Sequence, residues 1–249
     1  MGQYLKNRSI VILAALFLIW IALQQVNTAG GVEGAWARLL QLAMYTLPSF
    51  LIAIVLHEWA HAYSAWRLGD PTARMLGRLT LNPLKHLDPL GTVMMIVAGF
   101  GWAKPVPINP ANFRHPKRDM AISAGAGPAM NLALAVLCVA AINLWIPAYL
   151  RDPVTIKVQA GFSVFRFLLE MAMLNALLCV FNLLPIHPLD GHHFLQVLLS
   201  PRDFYTYKQN EGLISLIGLV LLLNGFFEPL LRGVQVQVMK LCMTSYWGV

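Results

Sequence analysis

"VLHEWAHAYSAW", Val55–Trp66, sets His57, Glu58 and His61 together in a stretch that is otherwise apolar and aromatic. Ionisable side chains are costly inside a bilayer and mark function by default. The spacing carries its own geometry. On a helix His57 and His61 stand at i and i+4, so both imidazoles share one face and can reach one ion. Glu58 falls about 100° round the helix, placed to meet a metal-bound water without being a ligand itself. Zinc lowers the pKa of such a water to about 7, and a carboxylate can take the proton as the water attacks a carbonyl. The pattern therefore points to hydrolysis, with Glu58 as base and His57 and His61 as two metal ligands.

The rest of the chain has the composition of a membrane protein. Of its 249 residues 58% are hydrophobic and 12% charged, with a mean hydropathy of +0.62. A soluble domain carries about a quarter charged residues. Apolar runs near 9–27, 43–66, 119–146, 162–185, 211–227 and 227–244 predict an all-α polytopic protein of about six transmembrane helices. "LNGFFEPLLRG" between the last two reads as a tight turn or an interfacial segment. The chain reads as one integral domain, 1–249, with an accessory first helix at 9–27 and C-terminal helices over 211–244. The N-terminal run resembles a signal peptide, but no clear small-x-small site follows it, so an uncleaved first helix is expected.

The net charge of +7 fits cytoplasmic loops better than nucleic acid, because no basic stretch is interleaved with stacking aromatics. Lys6 and Arg8 precede the first span, and Arg67, Arg74, Arg78, Lys85, Lys104, Arg114, Lys117 and Arg118 crowd the 67–118 connection. Positive-inside bookkeeping places both termini and that connection in the cytoplasm, with the chain multi-pass in the cell (inner or plasma) membrane. Within the connection, Thr92–Phe100 is too short to span. With the glycines and prolines of "GFGWAKPVPINP" it predicts a short re-entrant or β-like segment near 92–108, extended in preference to helical. Cys138, Cys179 and Cys242 form no metal or disulfide pattern and read as packing residues. Arg166 and Glu170 read as a structural ion pair.

Two histidines leave a catalytic zinc short of a ligand. "NLLPIHPLDGHH", 182–193, offers Asp190, with His187, His192 and His193 nearby. Pro185 and Pro188 break the helix there, and irregular backbone at membrane depth is tolerated only beside protein or a water-filled cavity. With the spans oriented as above, the second and fourth both run inward, bringing His57 and Asp190 to the cytoplasmic face. In "SAGAGPAMNLALA", 123–135, Gly125, Gly127 and Ala129 permit close helix approach. Asn131 and Asn182 are expected to contact substrate or its oxyanion. Asn175, on the same face as Asn182, reads equally as an interhelical hydrogen bond.

At "HEWAH" 57–61, "GAGPAMN" 125–131 and "NLLPIHPLDG" 182–191 the sequence resembles the site-2 protease family of intramembrane zinc metalloproteases. "RLGDPTARMLGRLTLNPLKHLDPLGT" and "GFGWAKPVPINPANFRHPKRD" resemble its compact bacterial branch, and the likeness covers about residues 43–195. The resemblance implies one catalytic Zn2+ held by His57, His61 and Asp190, Glu58 as base, and Asn131 and Asn182 holding the scissile peptide. It implies a membrane-protein substrate cut in or beside its transmembrane helix. The chain has no room for the PDZ or CBS modules of many relatives, and the histidines around Asp190 add possible ligands. Two other readings compete: a membrane zincin trimming peptides at the surface, and a zinc-binding transporter or metal-handling protein. Glu58 separates the proteases from the transporter, because simple metal binding needs no base.

Overall fold

The computed structural model describes residues 32–98, 101–145 and 163–242. Among them regular structure is helical, apart from one isolated antiparallel bridge between Leu87 and Ala103. In chain order the main helices are α1 (Val32–Gln41), α2 (Leu47–Arg67), α3 (Pro89–Ala98), α4 (Pro116–Trp145), α5 (Val164–Asn182), α6 (Pro201–Gln209), α7 (Glu211–Leu223) and α8 (Glu228–Cys242). A π-helical turn, Leu42–Thr46, joins α1 to α2. The described residues fall into two compact units, one from 32–47 with Leu87–Lys104, the other from Pro48–His86 with those from Pro105 onward.

Among the described residues three helical runs are long and apolar enough to cross a membrane: Trp36–Arg67, Pro116–Trp145 and Val164–Asn182. They fall on the second, third and fourth expected spans. The first, 9–27, lies outside the described residues. Helix α7 is apolar but has 13 residues, and α8 has 15. At 1.5 Å per residue these extend about 20 and 23 Å, short of a hydrocarbon core of about 30 Å. Between them the chain makes a tight turn in which Gly225 takes φ +74°.

The expectation of an extended 92–108 segment is corrected for its first half. Thr92–Ala98 is helical, part of α3. Asp88 starts that helix, its carboxylate accepting from the Gly91 N–H at 2.8 Å and its carbonyl from the Thr92 hydroxyl at 2.7 Å. Pro89 occupies the first turn, where its missing N–H costs nothing. These signals set a helix that ends before the glycines and prolines of "GFGWAKPVPINP" begin to act. Residues 101–109 are non-helical, as their prolines require. Within this unit Gly91 and Gly101 cross closely: a Cβ on Gly91 would lie 2.2 Å from the Trp102 carbonyl oxygen.

In the other unit α4 and α5 make the most extensive helix pair, with α8 laid against both. Ala135, Cys138 and Ile142 of α4, Phe165, Met171, Ala172 and Ala176 of α5, and Val238 and Cys242 of α8 form its buried core. Cys138, Cys179 and Cys242 are free and buried, as packing residues should be. Helix α2 ends on Gly69, at φ +113°. There the Asp70 N–H reaches the Ala65 carbonyl and the Gly69 N–H that of Trp66, the two bonds of a Schellman cap. Proline ends α5 just as sharply, and the chain turns through Leu183–Leu189 into a 3₁₀ turn, Asp190–Phe194.

Candidate metal centre

Helix α2 turns His57 and His61 to a buried face, with their Nε2 atoms 3.0 Å apart. Asp190, delivered by the 3₁₀ turn after α5, sets its Oδ2 3.2 Å from each Nε2. Residues 57, 61 and 190 therefore form one three-point group, although 128 residues lie between the last two.

Helix α4 fixes the proton on each ring. The Ser123 carbonyl oxygen lies 2.7 Å from His61 Nδ1 and can only accept, so Nδ1 carries the hydrogen. His57 Nδ1 lies 2.6 Å from Asn131 Oδ1. The orientation of that amide follows from a chain of bonds. Asn175 Nδ2 donates to the Met171 carbonyl, and its Oδ1 accepts from Asn131 Nδ2 at 3.1 Å. Asn131 thus presents its oxygen to His57, whose Nδ1 must donate. Both Nε2 atoms then face each other and a carboxylate oxygen, and buried Asp190 Oδ2 has no hydrogen-bond partner among the described residues.

Three electron-rich atoms cannot share a buried site without positive charge. Either a second proton on an imidazole supplies it, or a metal ion does. Burial alone would raise the Asp190 carboxyl, but the two imidazoles beside it outweigh burial and hold it well below the usual carboxylate range. It is an anion, as a metal ligand must be. Two imidazoles and a carboxylate, with outer nitrogens tied down, suit a catalytic zinc with one position left open. The donor set fits the ion.

Gly127 explains the small residues of α4. A Cβ there would lie 2.3 Å from His61 Nε2 and 2.6 Å from His57 Cε1. The α4 backbone is pressed against the imidazoles, so no larger residue fits. Gly191 plays the same part in the turn, where a Cβ would meet the Leu183 and Leu184 carbonyl oxygens at 2.3 Å.

Glu58 is buried, and its Oε2 accepts from the Val106 N–H at 2.8 Å. The segment carrying Val106 is pinned at both ends. Arg78 Nη2 donates to the Pro105 carbonyl at 3.2 Å. Fully buried Asp70 accepts from the Asn109 N–H and from Asn112 Nδ2, each at 2.7 Å, and from Thr72. Burial pushes the Asp70 carboxyl up, yet the bonds from Asn112, Thr72 and Asn109 prevail and leave it below its ordinary value.

Comparison with known proteins gives the same answer as the geometry. The model of peptidase family M50 matches residues 147–225. "Putative zinc metalloprotease YwhC" of Bacillus subtilis is 38% identical over 208 residues, covering 81% of this chain and 92% of the relative. "Putative zinc metalloprotease Rip2" is 36% identical over 195 residues in Mycobacterium tuberculosis, covering 75% of this chain and 68% of the relative. Its namesake in Mycolicibacterium smegmatis is 34% identical over 231 residues, covering 86% and 83%. No solved structure matches the chain.

The chain belongs to peptidase family M50, the site-2 protease family. It is a zinc metalloprotease of the membrane.

In this M50 protease, His57, His61 and Asp190 come together, and Glu58 follows directly on the first of them. Asn131 lies behind His57, fully buried, with both ends of its amide bonded to protein. Asn182 stands half-buried at the end of α5, its amide nitrogen donating back to Leu178 at 3.0 Å. Asn175 makes the interhelical bond. His187 and His192 belong to a separate group with Glu211. Burial and the neighbouring His192 push His193 down to about 4, so it is neutral at physiological pH. The Ser123 carbonyl and the Val106 N–H were not legible as site groups, since backbone atoms leave no trace in residue type, and Asp70 was not legible because its partners Asn109 and Asn112 lie some 40 residues along the chain. The one sequence signal for Asp70 was its place straight after a Leu-Gly helix stop.

Proposed function

We propose that this M50 protease hydrolyses a peptide bond in or near the transmembrane helix of a membrane-protein substrate, on the cytoplasmic side of the cell membrane. One observation carries the reading: a buried carboxylate, Glu58, adjoins a three-ligand group built on one helix apolar enough to span a bilayer and on the turn that follows another. His57, His61 and Asp190 hold the zinc, which when bound lowers the pKa of water and polarises a carbonyl. Glu58 takes the proton of the attacking water and returns it to the leaving amine. The Val106 N–H fixes the direction of that carboxylate, leaving one oxygen for the water. Asn131 acts through His57 by holding its tautomer, and Asn182 is the side chain proposed to meet the scissile peptide.

A helical carbonyl is shielded by its own hydrogen bond, so the substrate must unwind at the cut. Residues 105–109, kept from helix by Pro105 and Pro107, form an extended neighbour for such a strand beside Glu58. The orientation, with both termini and the 67–118 connection cytoplasmic, is proposed from the distribution of lysine and arginine. Purified protein in liposomes with a reporter transmembrane helix tests the proposal. Wild type should cut the reporter and Glu58→Gln should not, though it keeps its zinc. Cleavage of soluble peptides alone would support surface trimming instead. Full activity in Glu58→Gln would remove Glu58 from the mechanism.

A further inference from the structure

A second convergence of imidazoles and a carboxylate lies just beyond the zinc ligands. His187 and His192 flank Asp190 in sequence, and both turn their Nε2 atoms toward Glu211 at the start of α7, each 3.9 Å from its Oε1. The ligand atoms of the three residues all lie within 4.8 Å of one another. The two rings meet edge to face, with centroids 5.0 Å apart.

The hydrogen-bond pattern again fixes the protons. His192 Nδ1 lies 2.6 Å from the Leu189 carbonyl, which can only accept, so Nδ1 carries the hydrogen. His187 Nδ1 lies 3.1 Å from the Ser215 hydroxyl. That hydroxyl spends its own proton on the Glu211 carbonyl, at 2.8 Å. It must therefore accept from His187, and Nδ1 again carries the hydrogen. Nε2 is then the ring nitrogen that each histidine turns toward the Glu211 carboxylate. Outer nitrogens anchored to a carbonyl and a hydroxyl, with inner ones converging, are how metal-binding histidines are held.

We propose that His187, His192 and Glu211 bind a second divalent transition-metal ion, zinc by its donor set. Tetrahedral zinc with ligands at about 2.0 Å spaces its donors roughly 3.3 Å apart, so each imidazole need close on Glu211 by only about 0.6 Å from 3.9 Å, and the two imidazole nitrogens on each other by at most about 1.5 Å from the 4.8 Å that bounds the group. Lys208 now supplies positive charge, its Nζ 2.7 Å from Glu211 Oε1. Its side chain is 46% exposed and free to swing to solvent when an ion replaces it. The ion clamps the turn that delivers Asp190 to the first turn of α7. It gives that turn a metal cross-link independent of the catalytic ligands.

The test is metal content of the full chain, purified in detergent, equilibrated with zinc and desalted. Wild type should hold two zinc ions per chain, and His187→Ala and Glu211→Gln one each. The double variant His57→Ala/His61→Ala should also hold one, so that loss of the catalytic ion and loss of the second are read separately. Ser215→Ala, which removes the outer anchor of His187 and leaves all three ligands in place, should weaken the second site roughly 10- to 100-fold. Lys208→Met, which removes the competing charge, should tighten it. One ion in the wild type overturns the proposal. So do two ions that both persist in His187→Ala, or two that leave together in Glu211→Gln.

Discussion

The two histidine groups of this protease share a donor set and differ in their surroundings. His57, His61 and Asp190 have side chains 9%, 6% and 21% exposed, and their outer contacts come from a neighbouring helix, through Asn131 and the Ser123 carbonyl. In the other group His187 is 40% exposed, and Lys208 already lies on the shared carboxylate. The first group also has Glu58 beside it, held by the Val106 N–H. The second has cationic Lys208 in the equivalent role of nearest outside charge. Ligands alone therefore do not make a catalytic centre. What separates the two is a buried acceptor for a proton in one and a solvent-facing ammonium in the other.

The largest effect should come from removing that acceptor. Glu58→Gln keeps the size and can still accept the Val106 N–H, but cannot take a proton. Turnover of a reporter helix should fall roughly 100- to 10 000-fold with zinc content unchanged, whereas Glu211→Gln should not impose a loss of that size. Equal losses in the two variants would erase the distinction. Next comes the packing that crowds the first group alone. Gly127→Ala would drive a methyl into both imidazoles, so zinc retained after desalting should fall to the level of His57→Ala/His61→Ala. Normal zinc in this variant would mean that α4 can retreat from the site.

The outer anchors sharpen the comparison at smaller scale. Asn131→Ala frees the His57 ring to take the wrong tautomer and leaves Asn175 without its partner. Zinc affinity should drop roughly 10- to 100-fold, read by competition with a chelator of known strength. If affinity holds while KM for the reporter rises, Asn131 touches substrate and does not act through His57.

How much of this was legible beforehand depends on where the chemistry resides. His57, Glu58, His61 and Asp190 are side chains in short spacings, and the orientation of two helices by surrounding charge brought them to one face. Asn131 stood out as a buried amide in an apolar helix, but its partner did not. An amide satisfied by a histidine looks the same in sequence as one open to substrate. Ser123 and Val106 act through backbone atoms, which every residue has. Glu211 was hidden by its place in the first turn of an apolar helix, where an acidic residue is expected for the helix dipole alone. For α3, the glycines and prolines of "GFGWAKPVPINP" pointed to extended structure over 92–108, while Asp88 and Pro89 had already set a helix start. Local capping decided what composition could not.

The smallest expected effect concerns Asp70, which serves the first group through the segment carrying Val106 and has no counterpart in the second. Its bonds to Asn109, Asn112 and Thr72 all require the carboxylate as acceptor, and they hold its folded-state pKa below the ordinary value. A depressed acid stabilises the fold fully above its unfolded pKa of about 3.9, and the contribution drains away as pH falls through the lower folded value. Asp70→Asn should therefore lower the melting temperature in detergent at neutral pH and flatten its decline toward acid. Near the bottom of that range wild type and variant should converge. The same substitution slackens the anchor of residues 105–112, so kcat for the reporter should fall by a small factor while zinc content stays whole. A variant that loses zinc as readily as Asn131→Ala would place Asp70 in the support of the metal ligands instead of the base. Curves that stay parallel down to acid pH would show that the Asp70 charge is not what holds the segment over Glu58.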